Sequence, residues 1–229
     1  MMFLGLDSAS SACSAAVLSP DGVRAHRFEA MQRGQAEALA PMIRDVLADA
    51  GTAPADLAAI AVTVGPGAFT GVRIGLSAAR AFALTVSIPV VGVTTFAAVA
   101  EPLLGAGGRD ILAVIESRRA DFFVQMIAPV GNELGPPAAL ETADVGDYVA
   151  RHGSGGPIVV AGDGAARLVS SGALSGVEHE TAAGRGLPDA ADVARIAMRI
   201  AVEHGLPDRH VRPSPLYLRP PDVKLPKPA

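Results

Sequence analysis

Tryptophan is absent from the chain, and all aromatic residues together make up 4% of it. Hydrophobic residues nonetheless account for 50% of the 229 positions, so any core must be filled by Ala, Val, Leu and Ile. Cys13 is the one cysteine, which excludes an internal disulfide and suits a reducing compartment. No apolar run approaches the length of a membrane span. The first such run, Met1 to Leu6, is short, has no basic leader and meets Asp7, unlike a secretory signal. A cytoplasmic protein is expected. The net charge of −4 argues against a chain that holds nucleic acid through its overall electrostatics, and leaves a local basic patch open.

The residues that are present are organised around Ala59 to Ser87. Ala59 to Val64 is short, β-branched and nearly all apolar, as in a strand covered on both faces. Gly65-Pro66-Gly67-Ala68-Phe69-Thr70-Gly71 breaks the chain, with Thr70 placed to cap the next element. A helix is expected from Val72 to about Ser87, ending before Ile88-Pro89. Gly71, Gly75, Ala79 and Ala83 recur every four residues and form one smooth stripe, flanked by Val72, Leu76 and Leu84. A glycine inside a helix costs about 1 kcal/mol relative to alanine, so the stripe must be offset by close packing. Two uses stay open: packing against a sheet of the same chain, or docking another helix.

Spacing separates three enzyme readings of this stretch. A P-loop needs Lys where Val72 follows Gly71. A dinucleotide turn needs glycine where Thr70 stands, and a following acidic residue at a strand end. Gly75-Leu76-Ser77-Ala78-Ala79 would bury a nucleophile elbow's serine inside a helix. None of the three is supported.

Taken in order, Met2 to Leu6 reads as a strand ending at Asp7, Cys13 to Leu18 and Val23 to Glu29 as a hairpin around Pro20-Asp21-Gly22, and Gln35 to Ala50 as a helix stopped by Gly51. That helix carries Ala36, Leu39, Ala40, Ile43, Val46 and Leu47 on its apolar side. Val90 to Val93 is a further strand, and Thr94 or Thr95 caps a helix reaching about Leu104. From Asp110 the order repeats. Ile111–Glu116 and Asp121–Ala128 form a hairpin around Ser117-Arg118-Arg119, with Ala138 to Glu141 beside it, then a helix at Asp144–Arg151, a strand at Ile158–Ala161, a helix at Ala165–Ser171 and a weak strand at Val177–Glu180. The fold expected is α/β, two βββαβαβ lobes spanning 1–105 and 106–206. The second includes a closing helix, Asp189 to His204. A tail over 207–229 with seven prolines and Arg209, Arg212, Arg219, Lys224 and Lys227 is expected to be extended and partly mobile.

Duplicated lobes with an aspartate after the first strand resemble the actin, Hsp70 and sugar-kinase superfamily, of ribonuclease H-like type. Phe3 to Leu18, the string from Val64 to Gly75 (Val-Gly-Pro-Gly-Ala-Phe-Thr-Gly-Val-Arg-Ile-Gly) and the terminal Pro215-Leu216-Tyr217-Leu218-Arg219 resemble the bacterial TsaB family, also called YeaZ. The likeness is strong over the first hundred residues, loose in the middle and renewed at the tail. It implies a non-catalytic partner for TsaD, which transfers threonylcarbamoyl from threonylcarbamoyl-AMP to the adenosine beside the anticodon of tRNAs reading codons that begin with A. TsaE is the further partner, tRNA is met through the complex, and no membrane is involved. ATP and a metal would belong to the partner subunits, with no cofactor held by this chain alone. The pairing helices would match Gln35–Ala50 and Gly71–Ser87, giving Ala36, Leu39, Ala40, Ile43, Leu47, Gly71, Val72, Gly75, Leu76, Ala79 and Ala83 as interface residues, with self-pairing of the isolated chain as a corollary.

The residues agree that catalysis is poorly provided for. TsaD-type sequences carry two histidines four apart on the first long helix, whereas here Gln35-Ala36-Glu37-Ala38-Leu39 has none; the five histidines, His26, His152, His179, His204 and His210, are scattered. Asp7 and Arg73 are the weak candidates for a ligand. Asp7 either approaches a nucleotide's metal and phosphates, although Ala9 replaces the superfamily's glycine, or caps the turn Ser8 to Ser10. Arg73 either holds a phosphate or pairs with a carboxylate. Arg118 and Arg119 are expected to be solvated. The alternative function is a small-molecule kinase or ATPase built on Asp7 and the cleft between the lobes, with Gly162-Asp163-Gly164 as its second phosphate loop.

Overall fold

A computed structural model describes residues 1–105, 107–184 and 186–219. Each half forms a five-stranded mixed sheet. In the first, β1 (Met2–Asp7), β2 (Ala12–Ser19), β3 (Gly22–Ala30), β4 (Leu57–Thr63) and β5 (Val90–Val93) lie in the order β3-β2-β1-β4-β5. The hairpin pairs antiparallel with β1, while β4 and β5 continue parallel to it. Apolar β1 and β4 are covered on both faces, as their unbroken hydrophobic runs require. One face receives α1 (Gln35–Asp49) and α2 (Phe69–Val86).

The second half repeats this with β6 (Asp110–Glu116), β7 (Phe122–Ile127), β8 (Ala138–Leu140), β9 (Ile158–Ala161) and β10 (His179–Thr181), ordered β10-β9-β6-β7-β8. Its covering helices are short: α4 (Val145–His152) and α5 (Ala165–Ser170). The helix that closes each half, α3 (Thr95–Ala100) or α6 (Ala190–His204), packs against the other half's sheet. Phe96, Val99 and Ala100 of α3 pack with Ile111, Ile115 and Phe123 of the second sheet. Val193, Ala194 and Ala197 of α6 pack with Phe3, Ala59 and Val91 of the first. Chain order therefore places α6 after the second lobe, and packing places it on the first. Gly5 permits this approach, since a Cβ there would stand 2.0 Å from the Ala190 carbonyl oxygen.

Three details bear on the reading of the sequence. Thr70 does not cap α2: the helix starts at Phe69, Ala68 is its N-cap, and no side chain bonds there. Thr94 does cap α3, its Oγ1 accepting from the Ala97 amide at 3.1 Å. The tail up to Arg219 is extended but held down. The Leu216 amide donates to the Val64 carbonyl at 2.7 Å, Arg80 donates to the Pro213 carbonyl at 2.5 Å, and Arg219 forms an ion pair with Asp121. These anchors come from residues far away in sequence, which a proline count does not reveal. Lys224 and Lys227 lie outside the described residues. Among the described residues no helix is long and apolar enough to cross a membrane.

Candidate functional site

The loop after β1 and the turn after β4 meet at one point because three glycine contacts leave no gap. A Cβ on Gly67 would lie 2.2 Å from the Ala9 carbonyl oxygen, and one on Gly71 would lie 2.1 Å from that of Ser8. Ser8 Oγ donates to the Gly71 carbonyl at 2.9 Å, and Gly75 faces Ser8 Oγ and Val62. The smooth stripe of α2 is thus spent within the chain. Gly71, Val72, Gly75, Leu76, Ala79 and Ala83 are buried against the first sheet, as are Leu39, Ile43 and Leu47 of α1. Of the eleven interface residues expected from the sequence, only Ala36 and Ala40 are exposed. A stripe of small residues reports close approach, and here the neighbour is a sheet.

The outward surfaces of the same helices mix small apolar residues with charged and polar ones, Glu37, Arg44 and Asp49 on α1 and Arg73, Ser77 and Thr85 on α2. Ala36, Ala40 and Pro41 are exposed on α1; Ala81 is exposed and Ile74, Ala78 and Phe82 are half-buried on α2. Leu84, 71% exposed, lies near the end of α2.

Asp7 is sealed beneath the joined loops. It is 0% exposed, accepts from Thr63 Oγ1 at 2.6 Å and from the Ala9 amide at 3.2 Å, and its Oδ2 has no partner among the described residues. Burial pushes its pKa up to about 7 against these two hydrogen bonds, with Asp189 and Asp163 adding to the rise. The turn-capping role is present through Ala9; the bond to Thr63 was not legible in the sequence. A carboxylate with no exposed surface cannot receive a nucleotide's metal, so this geometry disfavours the kinase alternative. Asp163, unlike Asp7, reaches a cavity of about 400 Å³ between the lobes, shared with Ser10, Glu116 and Arg118. It accepts from the Glu116 amide at 2.9 Å, and burial raises its pKa while Arg118 lowers it. Cys13 is buried and its thiol is pushed up to about 12, chiefly by desolvation, which makes it unreactive.

A larger groove of about 970 Å³ opens beside that cavity, between the start of α2, the residues before α1, the tip of the β6–β7 hairpin and the docked tail. Arg73 lines it, and its contacts are with aromatic residues instead of the carboxylate expected as one of its two roles. Its guanidinium lies over the Phe69 ring at 3.7 Å, and its Nε donates to the Tyr217 hydroxyl at 2.9 Å. Phe69 and Tyr217 themselves sit 5.5 Å apart, 54% and 45% exposed. Arg118 and Arg119 are exposed at the hairpin tip, as expected.

The histidines are scattered, as the sequence implies: His26 meets Asp189 at 2.9 Å, His179 meets the Val177 carbonyl at 2.7 Å, and the His152 ring lies against Tyr148. Among the described residues, no three His, Cys, Asp or Glu side chains gather as a metal site.

In sequence the chain is similar to the tRNA threonylcarbamoyladenosine biosynthesis protein TsaB of Escherichia coli K12, 37% identical over 124 residues, 54% of this chain and 53% of that protein. The chain spans about half the length of the curated TsaB proteins it matches. The solved structure of YeaZ from Pseudomonas aeruginosa superposes with a TM-score of 0.80 at 27% identity, covering 95% of this chain and 99% of that one. A ROK hexokinase from Thermus thermophilus, at TM-score 0.53 and 17% identity over 88% of this chain and all of its own (100%), shares the duplicated α/β fold alone. The family model described as TsaD, tRNA N6-adenosine threonylcarbamoyltransferase, matches residues 28–202. With that match over most of its length, and with TsaB and YeaZ proteins as relatives in sequence and structure, the chain belongs to this family as a TsaB (YeaZ) member.

Proposed function

We propose that the chain serves tRNA threonylcarbamoyladenosine biosynthesis as a non-catalytic subunit. Its partner is a TsaD-type transferase that moves threonylcarbamoyl from threonylcarbamoyl-AMP to the adenosine beside the anticodon in tRNAs reading codons that begin with A. The names of its relatives support the process. The observation that supports the partner role is the set of small apolar residues left exposed on the outward surfaces of α1 and α2, Ala36, Ala40, Pro41 and Ala81, with half-buried Ile74 and Ala78, on helices whose opposite sides already fill the core. Small side chains let another helix approach closely, and an apolar surface left to water favours a partner. TsaE completes the assembly, ATP and metal reside with the partners, and tRNA is modified within the complex. In isolation the same surfaces pair two copies of the chain.

The test mixes the purified chain with TsaD, then measures the stoichiometry of the complex and tRNA modification with and without the chain. A one-to-one complex that alone supports modification is expected. Ala40→Glu combined with Ala81→Glu, both at exposed positions, leaves thermal unfolding unchanged and abolishes pairing and modification together. Pairing that survives this double variant overturns the contact. Substitutions at Gly75 or Ala79 would test the fold instead, because those residues face the sheet.

A further inference from the structure

We infer that the groove between the start of α2, the β6–β7 hairpin tip and the docked tail holds a single-stranded segment of RNA directly. The inference rests on the tRNA-modification reading above and gives that reading a direct contact from this chain.

Charge supplies the first argument. The chain is acidic overall, yet Arg33, Arg73, Arg118 and Arg119 converge on this one groove. The acids around its mouth are largely engaged elsewhere. Arg167 grips Glu116 through two bonds of 2.7 and 2.8 Å, and Asp121 is paired with Arg219. Glu37 is the acid that remains on the rim. No acidic residue occupies the first turn of α2, whose positive end faces the groove through Phe69, Thr70 and Gly71. A local excess of positive charge on an acidic protein calls for an anion, and four arginines spread along a groove of about 970 Å³ suit a chain of phosphates better than one.

Aromatic chemistry supplies the second. Phe69 and Tyr217 are two of only nine aromatic residues, made up of seven Phe and two Tyr, yet both stand about half exposed, side by side, in the same groove. Arg73 lies over Phe69 and bonds Tyr217, fixing the pair in place. Exposed aromatic rings and an arginine plane beside a basic groove form a platform on which unpaired bases stack, whatever their identity. Tyr217 belongs to the tail, so the Leu216–Val64 bond and the Arg219–Asp121 pair acquire a purpose: they bring the second ring to the first.

The experiment measures fluorescence anisotropy of a labelled twelve-nucleotide single-stranded RNA with the full chain between 50 and 200 mM salt. With Arg73 engaged by the two rings, three phosphate contacts from Arg33, Arg118 and Arg119 predict a slope of log K against log salt near −2. Arg33→Gln with Arg118→Gln should bring that slope below 1 in magnitude and weaken binding at least tenfold at low salt. Phe69→Ala should weaken binding about tenfold with the slope unchanged, because it removes stacking and no charge. Circular dichroism confirms that each variant is folded, and a 4-thiouridine photo-crosslink on the unmodified chain should map to the peptides holding Phe69 or Tyr217.

Three results overturn the inference: no binding at 50 mM salt, variants that bind as tightly as the parent, or AMP displacing the RNA at equal phosphate concentration, which would mark a mononucleotide pocket. Loss of binding on deleting residues 220–229 would assign RNA to the tail's end and overturn it as well. Pairing with TsaD is followed in the same samples. Pairing kept while RNA binding is absent defeats the groove alone, and RNA binding kept while pairing is absent defeats the partner reading alone.

Discussion

The two lobes share element order and strand order and differ in what lies on them. On the first sheet α1 and α2 run 15 and 18 residues; their counterparts on the second, α4 and α5, run 8 and 6. At 1.5 Å per residue α2 is about 27 Å long and α5 about 9 Å. A short helix covers its sheet and has little surface left over. A long one covers the sheet with one side and leaves a longer opposite side uncovered, and in the first lobe that side carries Ala36, Ala40, Pro41 and Ala81 among charged and polar residues. Duplication therefore accounts for the scaffold, and its copies differ in the length of the helices laid on them.

The most severe test of this asymmetry places the same methyl group at the start of the long and the short helix. At Gly71 a Cβ would strike the Ser8 backbone oxygen, 2.1 Å away, so the helix start and the loop after β1 would have to move apart. Gly71→Ala is expected to cost about 4 kcal/mol or more, enough to threaten folding. At Gly164, before α5, the nearest atoms belong to the side chains of Val114 at 2.9 Å and Phe122 at 3.1 Å, with the Val114 backbone oxygen farther off at 3.3 Å. Gly164→Ala should cost about 1–2 kcal/mol. Urea unfolding of both variants checks the ranking, and equal costs would mean that the start of α5 is packed as tightly as the start of α2.

Asp7 offers the next effect in size and again separates the lobes, because the second has no fully buried acid at the end of its first strand: Glu116, at that place, is half-buried and paired. With its folded pKa raised from 3.8 to about 7 by burial, Asp7 keeps its proton in the folded state after the unfolded chain has lost it. Below about pH 4 both states are protonated and nothing is lost. Between about pH 4 and 7 the folded state binds more protons, so stability falls as pH rises, by at most about 1.4 kcal/mol per unit, and the full penalty stands above about pH 7. Asp7→Asn keeps an oxygen for Thr63 and cannot ionise. Unfolding curves of parent and variant should coincide near pH 4 and separate by a few kcal/mol at about pH 8, with the variant the more stable.

The tail ties the lobes together, and Arg219 is its anchor on the second. Removing a charge that faces the buried Asp121 carboxylate leaves that acid without its ion pair; the arginine's partial exposure reduces the cost from that of a fully buried pair. Arg219→Ala should lower stability by about 2 kcal/mol in chemical unfolding and speed hydrogen exchange at the Leu216 amide, which bonds to Val64 in the first lobe.

These contacts show how far the sequence could be read. Strands and helices were legible because their periods and breakers are local: apolar runs mark β1 and β4, Gly51 ends α1, and Pro89 stops α2. The duplication was visible in the order of those elements. The partner of each face was not written locally. The stripe of α2 announces a close neighbour without naming it, and the structure supplies the sheet of the same lobe. Thr63 reaches Asp7 across 56 positions, and Tyr217 reaches Arg73 across 144, so neither bond leaves a trace in spacing. The tail's prolines say nothing of its attachment, which rests on Leu216, Pro213 and Arg219.

Two threonines give the finest contrast. Both precede or open a helix that leaves the first sheet, and sequence treats them alike as caps. Thr94 Oγ1 accepts the Ala97 amide and starts α3, the helix that crosses to the second sheet, whereas Thr70 is exposed inside the first turn of α2 and caps nothing. Thr94→Ala should therefore cost about 1 kcal/mol, the usual value of a lost N-cap, and Thr70→Ala less than about 0.5 kcal/mol, both read from urea unfolding. Since α2 already has its glycine contacts with the loop after β1, it does not depend on a side-chain cap, while six-residue α3 has little else to fix where it begins. Equal losses at the two positions would show that α2 needs a hydroxyl at its start after all, and that the long helix of the first lobe is held less by its seam than the glycine contacts imply.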